Sequence, residues 1–152
     1  MPDKLVTTMS GRTFYEVGRD TIEVLAATKT LNVDDCGKIF FLTAAAGFTT
    51  TLPTIAAAGS GWTCKFIVKT TATSNGYIVT EDTTTETDKV ITNGIVELET
   101  DTNDDGPNNT GHTTITFAAN TAIPGDHIEI LCDGTNWYCN GQVKADGGIA
   151  LA

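Results

Sequence analysis

Residues 125–141 read GDHIEILCDGTNWYCNG, and this stretch decides the fold. Before the loop, apolar side chains recur at every second position, at Ile128, Ile130 and Cys132, and the alternation resumes at Trp137. An Asp-Gly-Thr-Asn loop separates the two alternating runs, which is typical of an antiparallel hairpin. The large rings that follow the loop suit packing against a neighbouring strand. We therefore expect a hairpin that closes a β-sandwich or barrel.

Outward from this hairpin, the chain predicts further short strands. Alternation is clearest over residues 62–69, and shorter alternating or apolar runs lie at 21–27, 38–42, 48–52, 77–80 and 113–117. Asn93-Gly94 stands between two apolar pairs, which is the strongest short signal for a hairpin turn. About ten short strands at this spacing favour a sandwich or barrel. The expected fold is all-β: a single-domain antiparallel β-sandwich or barrel with short loops and little helix.

Apolar content divides the chain into three parts: an N-terminal arm (1–20), a β-domain (21–143) and a C-terminal tail (144–152) of small residues. A chain of 152 residues can bury a core within one domain. The arm has too few apolar residues to form a core alone, although residues 12–17 suit a short strand. The acidic stretches 81–88 and 100–111 are expected to be exposed loops, because unpaired carboxylates are costly to bury.

The charge and the cysteines restrict the partners and the compartment. A net charge of −10 and a pI near 4.3 predict a surface that repels phosphate backbones, so no nucleic acid is expected. The first residues lack the features of a signal peptide, and no apolar run approaches the roughly 18–20 residues that span a bilayer. We expect synthesis in a cytoplasm and no membrane partner. The four cysteines lack C-x-x-C spacing and are expected to be small core residues, with Cys132 and Cys139 out of register for a disulfide.

One half-motif for metal binding is present. Residues 101–106 read DTNDDG, which matches the first half of an EF-hand calcium loop with Asp101, Asn103 and Asp105 as candidate ligands. His112 stands where that loop needs a bidentate glutamate, and neither flank has a helical pattern. A solvated acidic loop is therefore the favoured interpretation, and no metal or other cofactor is expected.

No set of residues for catalysis can be assembled from the sequence. Neither of the two histidines has a nucleophile and an orienting acid near it. Glu97 and Glu99 alternate with Val96 and Leu98, which is typical of a strand with its polar side outward and its apolar side inward. We therefore expect no catalytic residues and a protein that is not an enzyme.

The pattern GD.IEI..DGTNWY.NG in residues 125–141 resembles the closing hairpin of structural proteins of tailed-phage virions, notably capsid decoration (cement) proteins and some tail-fibre modules. GKIFFLTAAAGFTTTLP at 37–53 and KFIVKTTATSNGYIV at 65–79 resemble the strand pairs that such proteins carry upstream. The resemblance covers about residues 31–141. It implies a homotrimer on the exterior of a phage capsid, made in the host bacterial cytoplasm. Such a virion protein stabilises the shell by bridging subunits of the major capsid protein, through buried surface and without turnover.

On this interpretation the partners are the major capsid protein and further copies of the chain. Candidate capsid contacts lie in the arm, at Leu5, Val6, Arg12, Phe14 and Tyr15. Candidate trimer contacts are whichever of Phe40 and Phe41 faces outward, together with Ile149 and Leu151 in the tail.

The alternative function is a tail-fibre, head-fibre or tail-tip module that binds host-surface glycans. Trp62, Trp137 and Tyr138 could stack on sugars if they were exposed, although aromatic rings in sheets are more often buried.

Overall fold

The computed structural model describes residues 4–9, 12–16, 21–82, 84, 90–98 and 109–152. The strands in chain order are β1 (Lys4–Met9), β2 (Arg12–Glu16), β3 (Ile22–Leu25), β4 (Lys29–Thr30), β5 (Ile39–Leu42), β6 (Phe48–Thr51), β7 (Thr63–Val68), β8 (Tyr77–Thr80), β9 (Val90–Glu97), β10 (Asn109–His112), β11 (Thr114–Phe117), β12 (His127–Cys132), β13 (Trp137–Val143) and β14 (Ile149–Leu151). A 3-10 helix (Val33–Asp35) and one helical turn, α1 (Ile55–Ala58), complete the elements. No helix in this part of the chain has the length and apolar character needed to cross a membrane.

The fold is a sandwich of two mixed sheets, which confirms the predicted all-β class. The larger sheet has seven strands in the order β10-β9-β13-β12-β7-β5-β3, and the smaller has five in the order β14-β11-β8-β6-β4. One continuous core fills the space between them. At its centre the rings of Trp62 and Trp137 meet edge to face at 5.5 Å, and Phe40 stacks on Phe66 at 5.3 Å.

The closing hairpin is confirmed as β12 and β13, which lie side by side inside the larger sheet. Its inward residues Ile128, Ile130, Cys132 and Trp137 are fully buried, as the alternation predicted. Cys132 is opposite Trp137 and Cys139 is opposite Ile130, so the two cysteines are diagonal neighbours. Both lie in the core as thiols, as does Cys64, and Cys36 is a half-buried thiol.

The expectation of purely antiparallel sheets is wrong. From β3 to β8, successive strands alternate between the two sheets, so that β3, β5 and β7 lie in the larger and β4, β6 and β8 in the smaller. Two strands of one sheet that are separated in sequence by a strand of the other sheet run in the same direction. The parallel pairs are β3–β5, β5–β7, β4–β6 and β6–β8. The short connections between these strands therefore arch across the core.

The hairpin turn predicted at Asn93-Gly94 is also wrong. β9 runs straight through these residues, parallel to β13, and the register skips Asn93 between the partners of Cys139 and Asn140. An extra residue of this kind is a β-bulge, and it shifts the inward–outward alternation by one position.

The bulge explains why the outward side of β9 differs from prediction. Beyond it, Ile95 is buried, whereas Val96 is 45% exposed and Leu98 is 52% exposed. Val96 and Leu98 therefore face outward, contrary to the polar-out, apolar-in pattern expected for residues 96–99.

The structure differs from the expected loops and tail in three places. Glu81, expected in an exposed loop, is only 1% exposed at the end of β8. β10 occupies part of the expected loop 100–111, while residues 83, 85–89 and 99–108 lie outside the described part of the chain. The small-residue tail 144–152 includes β14, which pairs with β11, and so belongs to the smaller sheet.

Candidate interaction surfaces

A cluster of apolar side chains lies on the outer face of the larger sheet, next to its β3 edge. This cluster, termed the outer patch, consists of Ile22, Val24, Ile39, Phe41 and Ile67. The register places Ile22 beside Ile39, and Phe41 between Val24 and Ile67. Ile22 and Val24 are each 55% exposed, and the other three are half-buried. Contiguous apolar surface on a soluble protein marks a site of contact with another molecule.

The apolar side of β3 faces outward because a ring of charges occupies its inward side. This charge ring consists of Glu23, Lys29, Asp35 and Lys38. The Lys29 ammonium lies 2.6 Å from Glu23 Oε1 and 3.2 Å from Asp35 Oδ1. The Lys38 ammonium lies 3.0 Å from Glu23 Oε2 and 2.7 Å from Asp35 Oδ1. Because Lys29 is on β4 and Glu23 on β3, the ring joins the edges of the two sheets.

Asp35 is the most buried member of the charge ring, at 2% exposed. Its second oxygen accepts the Asn32 N–H at 3.0 Å, within a capping box that starts the 3-10 helix. Burial alone would raise the pKa of Asp35 and of Glu23, but the hydrogen bonds from the lysines outweigh it, and both pKa values lie below their ordinary values. The hydrogen bond to Asp35 in turn raises the pKa of Lys38. Glu23, Asp35 and Lys38 are therefore held in their ionised forms by their neighbours.

The backbone of β3 is open on one side, because β3 ends the larger sheet in the described chain. The N–H of Thr43, just after β5, donates to the Leu25 carbonyl at 3.0 Å, so the backbone groups of Leu25 face β5. Alternation along a strand then directs the N–H and C=O of Ile22 and Val24 to the open side. β3 contains neither proline nor lysine, the residues that commonly guard such an edge.

Polar groups bound the outer patch on the side away from β3. Lys65 and Glu129 form an ion pair at 3.0 Å, and His127 Nδ1 lies 3.1 Å from the Gly125 carbonyl oxygen. A shallow groove of about 260 Å³ lies here, lined by Gly37, Lys38, Ile39, Thr63, Cys64, Lys65 and Glu129. The outer patch therefore stops at β7.

A second exposed pair lies further across the same face. Leu131 and Tyr138 are opposite each other in the β12–β13 register and are 47% and 39% exposed. A hydrogen bond with the Asp133 carboxylate raises the pKa of Tyr138. Trp62 and Trp137 are buried in the core, so Tyr138 is the one ring of the three sugar-stacking candidates that reaches solvent.

The N-terminal arm contains a hairpin that pairs with neither sheet. β1 and β2 are antiparallel, with Lys4 opposite Glu16 and Met9 opposite Arg12, and they form a two-stranded sheet of their own. β2 confirms the strand expected within 12–17, and β1 was not anticipated. The candidate capsid contacts all fall on these two strands; they are Leu5, Val6, Arg12, Phe14 and Tyr15.

Burial divides the candidate trimer contacts. Phe40 is 0% exposed and Ile149 is 3% exposed, so both belong to the core and neither has surface to offer a second copy. Phe41 and Leu151 are half-buried and remain available. Phe41 is therefore the outward ring of the Phe40-Phe41 pair.

The groups considered for chemistry are not brought together. Asp126, next to His127 in sequence, is 4% exposed, and its carboxylate accepts the N–H of Ile123 at 2.9 Å and of Lys144 at 3.0 Å. It therefore fastens backbone segments and does not orient the histidine. The candidate calcium ligands Asp101, Asn103 and Asp105 lie outside the described residues. Within those residues no group of three or more His, Cys, Asp or Glu side chains is placed to hold a metal ion.

Comparison of the chain with protein-family models, with curated proteins and with solved structures found no match.

Proposed function

We propose that the chain is a structural, non-catalytic virion protein that binds the outer surface of a phage capsid as a homotrimer. In this role it stabilises the shell by bridging subunits of the major capsid protein. The basis is the resemblance of segments 37–53, 65–79 and 125–141 to decoration proteins, joined to two surfaces of the fold. One surface is the N-terminal hairpin, and the other is the outer patch.

The observation that carries the proposal is that β1 and β2 pair with each other and with no strand of the two sheets of the sandwich. An isolated two-stranded hairpin is marginally stable in water and gains stability from a surface that it can cover. The outer patch is a separate apolar surface, at the β3 edge of the sandwich. A protein that must hold both a shell and its own copies needs two such surfaces, and we assign the hairpin, through β1, to the shell and the patch to the copies.

The test is decoration of capsids that lack the protein. Deletion of residues 1–10 removes β1 and no strand of the sandwich, so we expect the folded trimer to persist while capsid binding falls sharply. Burial of even two apolar side chains per arm contributes a few kcal/mol, about 1.5–3 for each. A sharper version replaces Leu5 and Val6 by Ser, with Thr7 and Thr8 replaced by Ser in the same strand as the matched control. Undiminished decoration by the deletion and by the Leu5/Val6 variant would contradict the role of the arm.

A glycan-binding module of a fibre or tail tip is the second candidate, and Tyr138 favours it. An exposed ring hydrogen-bonded to a carboxylate can stack on a sugar and hold one of its hydroxyls. Two measurements separate the candidates. A decoration protein is present at every equivalent site of the shell, whereas a fibre module is confined to a few positions, so mass per virion distinguishes them. Titration with host-surface polysaccharide should show binding that Tyr138→Ser removes only if the glycan function is correct.

A further inference from the structure

We propose that β2 of one copy pairs with the open edge of β3 in the next copy, so that the trimer is held by exchanged N-terminal hairpins. This inference rests on the proposed homotrimer and adds the contact that forms it. The occupant of the β3 edge and the adjoining outer patch is thus a second copy of this chain.

The accepting surface is the edge of β3, where backbone groups and apolar side chains are both available to an added strand. The N–H and C=O groups of Ile22 and Val24 face the open side of the sheet, and both side chains extend the outer patch at 55% exposure. An added strand would satisfy these backbone groups, and an added hairpin would also cover the apolar side chains beside them. The charge ring fixes β3 to the smaller sheet from behind, so the edge is a rigid template.

The donated segment is the strand pair β1–β2, which forms a two-stranded sheet of its own. The ladder of β1 and β2 involves no strand of the sandwich. Residues 1–20 contain three basic residues and three acidic residues, so the arm is neutral and the rest of the chain carries the whole net charge of −10. A neutral segment meets less repulsion on an acidic neighbour than a segment with the average charge of the chain does.

The connection between β2 and β3 is short. Residues 17–21 connect β2 to β3, and five residues span at most roughly 17 Å. Among the described residues β2 pairs with β1 and not with β3, so one copy offers both a strand pair outside the sandwich and an edge at β3. A contact between two different surfaces of identical chains closes into a ring when the rotation permits. β1 remains the outermost strand and is free for the capsid contact proposed above.

A mixed cross-linking experiment tests the exchange. One chain carries Phe14→Cys, a second chain with a mass tag carries Val24→Cys, and both carry Cys36→Ala because Cys36 is the native thiol that is only half-buried. The two are unfolded together, refolded and treated with a short bismaleimide. A product containing one tagged and one untagged chain is expected. A double variant, Phe14→Cys with Val24→Cys, that cross-links only within one chain would overturn the proposal, as would no mixed product from a sample that sediments as a trimer.

A backbone variant tests strand pairing itself. Val24→Pro removes an N–H that faces the open side and leaves the bonds to β5 in place, and proline is tolerated on edge strands. The loss of one hydrogen bond at each of three contacts should weaken trimer association roughly a hundredfold, about fivefold per bond. Val24→Ala keeps the N–H and is the matched control, expected to weaken association much less. Fluorescence of the buried tryptophans verifies that each variant is folded.

Two deletions separate this inference from the proposed function. Removal of residues 1–10 leaves β2, so the trimer should persist while capsid binding falls. Removal of residues 1–16 takes β2 as well, and a monomer lighter than the 16.0 kDa full-length chain should then dominate sedimentation at micromolar concentration. A stable trimer after the longer deletion refutes strand exchange and leaves the decoration function standing. Full-length trimers that fail to bind capsids refute the decoration function and leave the exchange standing.

Discussion

Substitution of Asp35 by Asn is the most direct way to test the charge ring. The change keeps the shape of the side chain and removes one charge. Lys29 and Lys38 are then left to share Glu23, whose side chain is 31% exposed. We expect a clear loss of stability, because the two ammonium groups lose the more buried of their two partners.

The magnitude follows from burial. Removal of one partner from a fully buried ion pair costs about 3–5 kcal/mol. Here the lysine side chains are 25% and 22% exposed and recover part of their hydration, so we expect a loss of about 2 kcal/mol. For a chain of 152 residues this corresponds to a fall in Tm of roughly 4–8 °C.

The effect should depend on pH in a defined direction. The pKa values of Asp35 and Glu23 in the folded protein lie below their ordinary values of 3.8 and 4.5. Their contribution is therefore complete above the ordinary values and is lost as the pH falls through the lower folded-state values. The difference in stability between the wild type and Asp35→Asn should be full at pH 7 and shrink progressively below about pH 4.

Urea unfolding followed by tryptophan fluorescence measures this difference, since Trp62 and Trp137 are buried in the folded state. Asp34→Asn is the matched control, because Asp34 lies beside Asp35 in the same 3-10 helix but is exposed. Equal stabilities of wild type and Asp35→Asn at pH 7, or an equal loss in Asp34→Asn, would refute the reasoning.

Three further predictions concern other parts of the chain. Gly141→Ala should destabilise the fold by about 3 kcal/mol in urea unfolding, because a Cβ there would overlap the His127 carbonyl oxygen, whereas Asn140→Ala should be nearly neutral. Asp126→Asn should cost about 1–3 kcal/mol by the same assay, because the one oxygen of an amide can accept only one of the two N–H groups that the buried carboxylate accepts. If the acidic loop is solvated, replacement of Asp101, Asp104 and Asp105 together by Asn should leave trimer formation unaltered. The effect of calcium on Tm should be the same in this variant as in the wild type.

The closing hairpin could be predicted from the sequence because its determinants are local. The loop after Cys132 sets the register, and the alternation of Ile128 and Ile130 tells which side chains share a face. Pairing between distant segments has no such local signal. The sequence contains nothing that distinguishes a turn back into the same sheet from an arch to the other, and so the parallel pairs of β3–β8 were missed.

The outer patch was missed for a related reason. Period-2 alternation separates two faces of a strand but does not identify the inner one. In β3, hydrophobicity alone favours Ile22 and Val24 as inward residues, whereas Glu23 takes that side because two lysines distant in sequence neutralise it. On β9 the bulge at Asn93 shifts the alternation of inward and outward side chains by one residue, and no pattern of apolar residues could show this shift.

The alternation of strands between the two sheets also sets the order in which the chain can fold during synthesis. β3 to β8 are complete before β11 to β13 emerge, so the ribosome first releases two three-stranded half-sheets, β3-β5-β7 and β4-β6-β8. Their unfinished edges are β7 and β8, and a nascent chain at this stage presents them to any other nascent chain nearby. β12 later covers β7 and β11 covers β8. Pauses in translation once residue 80 has left the ribosome should therefore favour aggregation, and faster synthesis of the last third should protect against it.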